Sequence, residues 1–131
     1  MTIQRTSTFF AFGREHGFLL WNIRSGGDGT IGSAGLLPED TGTKCREDRG
    51  FFLYLLPAFW GMGIGAMAMR HLEREARQRN LHRLECVVTA GNDRAIRLNE
   101  KYGFQTEGIK RDAFFDTGQY EDLLMMAKLL D

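Results

Sequence analysis

The sequence has few of the residues that would tie it to a disulfide scaffold, a metal or a nucleic acid. Among its 131 residues are only two cysteines, and Lys plus Arg equals Asp plus Glu at 17 each. Cys45 and Cys86 have no metal-binding spacing and form no disulfide framework. We therefore interpret them as reduced thiols of a cytoplasmic protein. The balanced charge gives no basic surface for nucleic acid.

Long hydrophobic runs are also missing. No apolar run approaches the roughly 18 residues that a membrane span needs. The first residues, MTIQRTSTFFAFG, lack the long apolar region of a signal peptide. Hydrophobic residues nevertheless make up 43% of the chain, enough to build a core. The composition therefore predicts a single domain over residues 1–131 that does not enter a membrane.

The strongest local pattern runs from Gly50 to Asn80. It begins with an apolar run at 51–56, short enough for a buried strand, and Pro57 ends the run because it has no N–H for a ladder. Glycines at 61, 63 and 65 follow, and residues 66–79 then show helical periodicity. The order of strand, glycine loop and helix suits a phosphate, because the first helical N–H groups lack partners and carry partial positive charge.

The glycine loop matches neither of two common phosphate motifs. A P-loop needs Gly-Lys-Ser/Thr, whereas Ala66 and Met67 follow Gly65, and the dinucleotide fingerprint needs a different glycine spacing. The loop has no side chain for a metal or a γ-phosphate. Its main-chain amides would suit a pyrophosphate on which no chemistry is done. The alternative is a tight turn that only packs the helix on a sheet.

The rest of the chain predicts strands on both sides of this unit. The strands are expected at 9–12, 18–23, 30–37, 81–89, 105–115 and 120–130. Asn92-Asp93 is a good helix start and Gly103 a left-handed cap, which predicts a second helix at 93–102. Residues 38–49 indicate a loop. His16 lies in a predicted turn, where a solvated histidine is favoured over a general base. These elements predict an α/β or α+β fold with a mixed sheet.

Two separated blocks carry a family resemblance. One is Leu55-x-Pro57-x-x-Trp60-Gly61-x-Gly63-Ile64-Gly65, and the other is Asn92-x-Arg94-Ala95-Ile96-x-Leu98-x-Glu100-Lys101-x-Gly103-Phe104-x-x-x-Gly108. Together they closely resemble the GNAT family of acyl-CoA-dependent N-acyltransferases. The tripeptide Phe59-Trp60-Gly61 and the segment 118–122 look most like the branch that acetylates ribosomal-protein N-termini.

The resemblance implies a mixed, mostly antiparallel sheet flanked by helices, with acetyl-CoA as co-substrate and no metal. In the family, the loop amides bind the pyrophosphate of coenzyme A. The strand before the loop carries a bulge and splays from the next strand, and pantetheine fills the gap. Pantetheine would here contact Leu53, Tyr54 and Leu55, and the thioester end would lie near Asn92. The pyrophosphate would contact Gly61, Met62, Gly63, Ile64, Gly65 and Ala66.

Two catalytic positions depart from the family pattern. Members commonly have a tyrosine where Asn99 stands, and its phenol protonates the departing thiolate. Asn99 would only position the sulfur or a water, and Tyr102 lies one turn away. Where some members place a glutamate base, this chain has Val87, while Glu85 lies two residues earlier on the same strand face. Glu85 is the candidate base, and a salt-bridged strand residue is the alternative interpretation.

Too few residues precede Phe9 for the strand and two helices that usually open the family fold. We therefore expect a shortened N-terminal region, or another subunit that supplies this wall of the acceptor site. A homodimer would cover the flank left open, with Phe9, Phe10, Phe12 and Trp21 as contributors. The predicted activity is acetyl transfer from acetyl-CoA to a primary amine, on a protein N-terminus or a small molecule. The alternatives are a non-catalytic acyl-CoA-binding module or degenerate GNAT subunit, and a binder of another pyrophosphate-containing nucleotide.

Overall fold

The computed structural model describes residues 2–5, 19–27, 29–38 and 48–130, which form one sheet and two α-helices. The strands are β1 (Thr2–Arg5), β2 (Leu19–Ser25), β3 (Gly29–Pro38), β4 (Asp48–Leu55), β5 (Arg83–Thr89), β6 (Gln105–Asp116) and β7 (Gln119–Leu129). The helices are α1 (Ile64–Gln78) and α2 (Asp93–Lys101), and a 3-10 turn, Pro57–Phe59, follows β4. In the described part, no helix is long and apolar enough to cross a membrane.

The sheet has the order β1-β2-β3-β4-β5-β7-β6, and every neighbouring pair is antiparallel except β4 and β5. A parallel pair needs a crossover, and α1 supplies it. The parallel pairing is short, because it joins only Asp48 to Arg83, Arg49 to Leu84 and Gly50 to Glu85. After Gly50 and Glu85 the described residues of the two strands no longer pair, so the sheet splits into two arms.

The helices bury one face of this sheet. On α1, the apolar residues Ala68, Met69, Leu72 and Ala76 are buried, as the helical periodicity predicted. Met69, Leu72 and Ala76 share one core cluster with strand residues such as Leu36 and Leu84, and the α2 residues Ala95 and Leu98 pack against the same cluster. Ala68 belongs to a second cluster, with strand residues of β2 and β3. The predicted second helix and its left-handed end are confirmed, since Gly103 has φ of 90°.

Several boundaries differ from the sequence prediction. The strand β1 was not predicted, and β4 begins at Asp48, inside the stretch expected to be a loop. The expected bulge in β4 is wrong, because the register between β3 and β4 runs without a shift from Gly32–Leu55 to Pro38–Arg49. The predicted strand at 9–12, with Phe9, Phe10 and Phe12, and the turn with His16 lie outside the described residues.

Trp21 is not available for the predicted homodimer interface. Its side chain is 4% exposed and packs edge-on against His71 of α1, with the ring centroids 4.9 Å apart. The reason is strand periodicity: Trp21 and Ile23 alternate onto the face of β2 that the core covers. The assignment of Trp21 to an interface is therefore wrong.

Candidate active site

A cleft of about 670 Å³ occupies the gap where β4 and β5 separate. Residues 51–55 of β4 and 86–89 of β5 line its sides, together with the glycine loop and the facing turns of α1 and α2. Phe51 and Cys86 follow the last paired residues and so lie at the closed end. The glycine loop follows β4 and lies at the open end. An elongated ligand that binds the loop would therefore extend towards Phe51 and Cys86.

The two strands leave backbone groups unpaired along this cleft. On its other side β4 pairs with β3 as far as Leu55, and β5 pairs with β7 as far as Thr89. On the sides facing each other, the described residues beyond Gly50 and Glu85 have no strand partner. Buried backbone groups normally find partners, so these edges can hydrogen-bond an extended ligand. The segment 53–55, predicted to contact pantetheine, forms part of this edge.

The glycine loop holds a conformation that favours glycine. Gly61 has φ of 78° and Gly63 has φ of 79°, in the left-handed region, although a Cβ at either residue would meet no atom within 4 Å. Gly63 is the N-cap of α1, without a side-chain capping bond, and the first turn carries no acidic residue. The first N–H groups of α1 therefore keep their partial positive charge for an anion.

A guanidinium group lies beside this loop. Trp60 Nε1 donates a hydrogen bond to the Leu55 carbonyl at 2.8 Å, which fixes the indole next to the end of β4. Arg94 Cζ lies 4.7 Å from the centroid of the Trp60 ring, a cation–π contact. Both residues line the cleft. The sequence prediction did not assign Arg94, because only the fold brings the start of α2 to the end of β4.

Asn92 lies where β5 turns into α2. Its Oδ1 accepts a hydrogen bond from the Ala95 N–H at 3.2 Å, so the predicted helix cap is confirmed. The residue also lines the cleft, and its role towards a thioester stays a prediction.

Asn99 and Cys86 meet at the closed end of the cleft. Asn99 is 4% exposed, and its Nδ2 donates to Cys86 Sγ at 3.2 Å and to Met126 Sδ at 3.6 Å. Burial raises the pKa of the Cys86 thiol to about 12, against the opposing effect of the Asn99 hydrogen bond. The thiol is therefore neutral near pH 7, which argues against a nucleophilic role for Cys86.

Glu85 does not line the cleft. Its Oε1 accepts from Arg83 Nε at 2.6 Å, and Arg83 Nη1 donates to Glu107 Oε2 at 2.9 Å. These hydrogen bonds raise the pKa of Arg83, and the bond from Arg83 lowers the pKa of Glu107. The ion pair favours the structural interpretation of Glu85, and its role as a base stays a prediction. Across the described ranges, no cluster of three His, Cys, Asp or Glu side chains could hold a metal.

Comparison with known proteins identifies the family. A profile described as "Acetyltransferase (GNAT) family" matches residues 2–104. The chain belongs to the GNAT family. The solved structure of yncA from Salmonella typhimurium with its cofactor acetyl-CoA is 22% identical, with a TM-score of 0.84 over 94% of this chain and 70% of that chain. The predicted GNAT fold is therefore confirmed.

Two curated relatives share part of their length with this chain. The ribosomal protein bS18-alanine N-acetyltransferase of Salmonella typhimurium is 35% identical over 71 residues, 54% of this chain and 48% of the relative. Spermidine N(1)-acetyltransferase of Escherichia coli K12 is 30% identical over 77 residues, 58% of this chain and 41% of the relative. The chain thus spans less than half the length of either relative.

The GNAT fold of this chain brings most of the predicted cofactor-binding residues together. The cleft lining contains Leu53, Tyr54, Leu55, Gly61, Gly63, Gly65, Ala66 and Asn92. Met62 is exposed and Ile64 buried, and neither side chain is needed if the loop binds through its amides. Of the two catalytic candidates, Asn99 lies in the cleft and Glu85 does not. Tyr102 also lies outside it, where its hydroxyl accepts a hydrogen bond from Arg70 at 3.0 Å.

Proposed function

We propose that residues 1–131 act as a single GNAT domain that transfers an acetyl group from acetyl-CoA to a primary amine. The observation that carries the proposal is the cleft between β4 and β5, with a helix start at its open end whose N–H groups no side chain caps. The phosphates of acetyl-CoA would bind there, and the pantetheine arm would follow the unpaired edges past Asn92 towards Asn99, so that Asn92 would contact the arm and not the thioester. The structural neighbour that holds acetyl-CoA supports this assignment.

The residues around the phosphates provide complementary charge without chemistry. The amides of 61–66 would donate to pyrophosphate oxygens, as at other helix starts. The Arg94 guanidinium, held over Trp60, would add the only side-chain cation that the described residues place in the cleft lining. Coenzyme A carries several negative charges, so this arrangement favours it over an uncharged thioester.

The chemical step requires little acid catalysis from the protein. The amine nitrogen would attack the thioester carbon, the C–S bond would break, and the ammonium proton would pass to a base or to water. Backbone N–H groups on the β4 edge would stabilise the oxyanion. The departing thiol has a pKa of about 8.5, so it can leave as a thiolate without a phenol. Orientation in the cleft can contribute roughly 7–11 kcal/mol to lowering such a barrier.

The acceptor would approach from the sheet face that α1 and α2 leave open. Tyr54 and Val87 alternate onto that face, and each side chain is 55% exposed beside the cleft. The curated relatives are named for an alanine of a ribosomal protein and for spermidine, which both offer primary amines. We propose the same class of acceptor here, either a protein N-terminus or a small-molecule amine.

We also propose a cytoplasmic homodimer. Trp21 is excluded from its interface, but the end of the β6–β7 hairpin exposes Phe114, Phe115 and Tyr120. Exposed apolar groups of this kind are often covered by a partner. Light scattering at micromolar concentration tests this directly, and a monomer would contradict it.

The test of the function combines binding with transfer. Acetyl-CoA should raise the melting temperature, and a panel of an alanine-initiated peptide, spermidine and simple amines should include an acetylated product. Binding of acetyl-CoA without acetylation of any amine across the pH range would favour a non-catalytic binding module. A shift with ADP as large as with acetyl-CoA would favour a binder of another pyrophosphate-containing nucleotide. No shift with either ligand would refute the cofactor assignment.

A further inference from the structure

We infer that the closed end of the cleft binds acyl chains longer than acetyl, and that Asn99 is the residue that sets their length. The inference rests on the proposed binding of coenzyme A in this cleft. It concerns which acyl-CoA is used, and adds propionyl-CoA and butyryl-CoA to the substrates.

The cleft reaches the hydrophobic core at this end. Met69 of α1 is 1% exposed in the whole protein, and Phe51 of β4 is also buried, yet both line the cleft. Both belong to the main core cluster, against which Leu98 of α2 packs from the opposite helix. A ligand that passes between the strands therefore meets apolar side chains beyond the unpaired backbone edges.

The polar groups at the closed end are already engaged with each other. The Asn99 amide donates to the sulfur atoms of Cys86 and Met126, which holds it against β5 and β7. Cys86 is a neutral thiol at pH 7. The one charged side chain that the described residues place in the lining, Arg94, stands over Trp60 at the open end. An alkyl chain at the closed end would thus displace water from an uncharged surface without leaving a charge unpaired.

Asn99 is the residue that can limit the chain length. It projects from the second turn of α2 onto the thiol of Cys86, the first β5 residue beyond the paired segment. Phe51, Met69 and Asn99 all line the cleft, so a larger side chain at position 99 would reduce the space that an acyl group could fill. The amide leaves that space to the acyl group.

The expected signature is a gain in affinity with each added methylene. Burying one methylene contributes about 0.8 kcal/mol, which is about fourfold in the dissociation constant. Calorimetric titration of the native protein should therefore give affinities that rise about fourfold from acetyl-CoA to propionyl-CoA. A similar rise should follow to butyryl-CoA, with free coenzyme A weaker than all three.

The Asn99→Phe variant provides the matched comparison. The loop and Arg94 are untouched in this variant, and whatever its affinity for free coenzyme A, the ratio of its affinities for butyryl-CoA and acetyl-CoA should fall to about one. If this variant does not fold, the titration series on the native protein decides alone. Equal or falling affinity from acetyl-CoA to butyryl-CoA would overturn the inference while leaving the proposed function intact. Failure to bind free coenzyme A would instead overturn the proposed function.

Discussion

Replacing Gly63 by aspartate should weaken acetyl-CoA binding at least a hundredfold while leaving the chain folded. Gly63 is the N-cap of α1 with φ of 79°, and a Cβ there would meet no atom of the protein within 4 Å. The left-handed conformation costs a non-glycine residue about 1–2 kcal/mol. An acidic side chain at a helix start stabilises the helix by about 0.3–1 kcal/mol, which offsets part of that cost. The change in stability of the unliganded protein should therefore be small.

The effect on the ligand should be large. The new carboxylate would stand where the pyrophosphate approaches, and two unit charges about 5 Å apart repel by about 3 kcal/mol at an effective dielectric constant of 20. The dissociation constant should then rise at least a hundredfold. Acetyl-CoA at about 100 times its native dissociation constant stabilises the native protein by about 2.7 kcal/mol, and the variant by about 0.4 kcal/mol. The ligand should therefore raise the melting temperature by roughly 10 °C in the native protein and by only roughly 2 °C in the variant.

The Gly118→Asp variant is the matched control. Gly118 has φ of 80°, and a Cβ there would also meet no atom within 4 Å, but the residue lies in the turn between β6 and β7, away from the cleft. This variant should lose the same stability to the left-handed backbone conformation, but acetyl-CoA should stabilise it as much as it stabilises the native protein. Gly63→Asn separates charge from conformation, because asparagine tolerates the left-handed region and adds no charge.

The measurement is thermal unfolding of the native protein and the three variants, with and without acetyl-CoA. A ligand response of Gly63→Asp equal to that of Gly118→Asp would refute the reasoning, because the phosphates would then bind elsewhere. A response of Gly63→Asn as small as that of Gly63→Asp would show that the side chain acts through bulk, not charge.

Three further predictions concern the side chains around the cleft. Arg94→Ala should weaken acetyl-CoA binding by calorimetry at least tenfold, since it removes a cation from the phosphate end, whereas Arg97→Ala, on the exposed side of the same helix, should not. If Glu85 is the base, Glu85→Gln should lower kcat/KM by about 10²–10⁴, and the loss should shrink as pH rises. Glu107→Gln breaks the same Arg83 network and should then leave the pH profile of kcat/KM unchanged. Equal effects of the two variants would make Glu85 a structural residue. Burial raises the pKa of Cys86 from 9.0 to about 12, so its alkylation by iodoacetamide at pH 8 should be about 10³-fold slower than that of a free thiol. Mass spectrometry measures the rate, and rapid modification would contradict that burial.

The same shift at Cys86 has a consequence for stability. Its folded pKa lies above the unfolded one, so the group contributes stability fully below about pH 9, and the contribution is lost as pH rises towards about 12. Urea unfolding from pH 8 to 11 should show this loss in the native protein and a smaller loss in Cys86→Ala. A loss of equal size in both proteins would assign it to other groups.

The glycine loop could be predicted from the sequence because its physics is local. Pro57 ends a strand, glycine alone adopts φ near 80° without cost, and apolar residues recur along α1 at helical spacing. Each of these depends on neighbours within a few residues, so the order of residues is enough. Asn92 as a cap and Gly103 as a helix end were predictable for the same reason.

The closed end of the cleft was not predictable in this way. Val87, Glu85 and Asn99 could be placed on strand and helix faces by periodicity, but which face is covered depends on elements packed from elsewhere in the chain. The contact of Arg94 with Trp60 joins residues 34 positions apart, and the burial that turns Trp21 inward depends on α1. The same holds for the ion pair that engages Glu85, since its partner Arg83 is also bound by Glu107 of β6.

Sequence alone thus determined where a phosphate would find free amides, because backbone conformation follows from the residues that adopt it. Only the tertiary structure decided that a cleft lies in front of those amides. The separation of β4 from β5 after Gly50 and Glu85 is a property of sheet pairing, which no local pattern encodes. It opens the cleft, and the packing of α1 and α2 around it gives the closed end its neutral, apolar character.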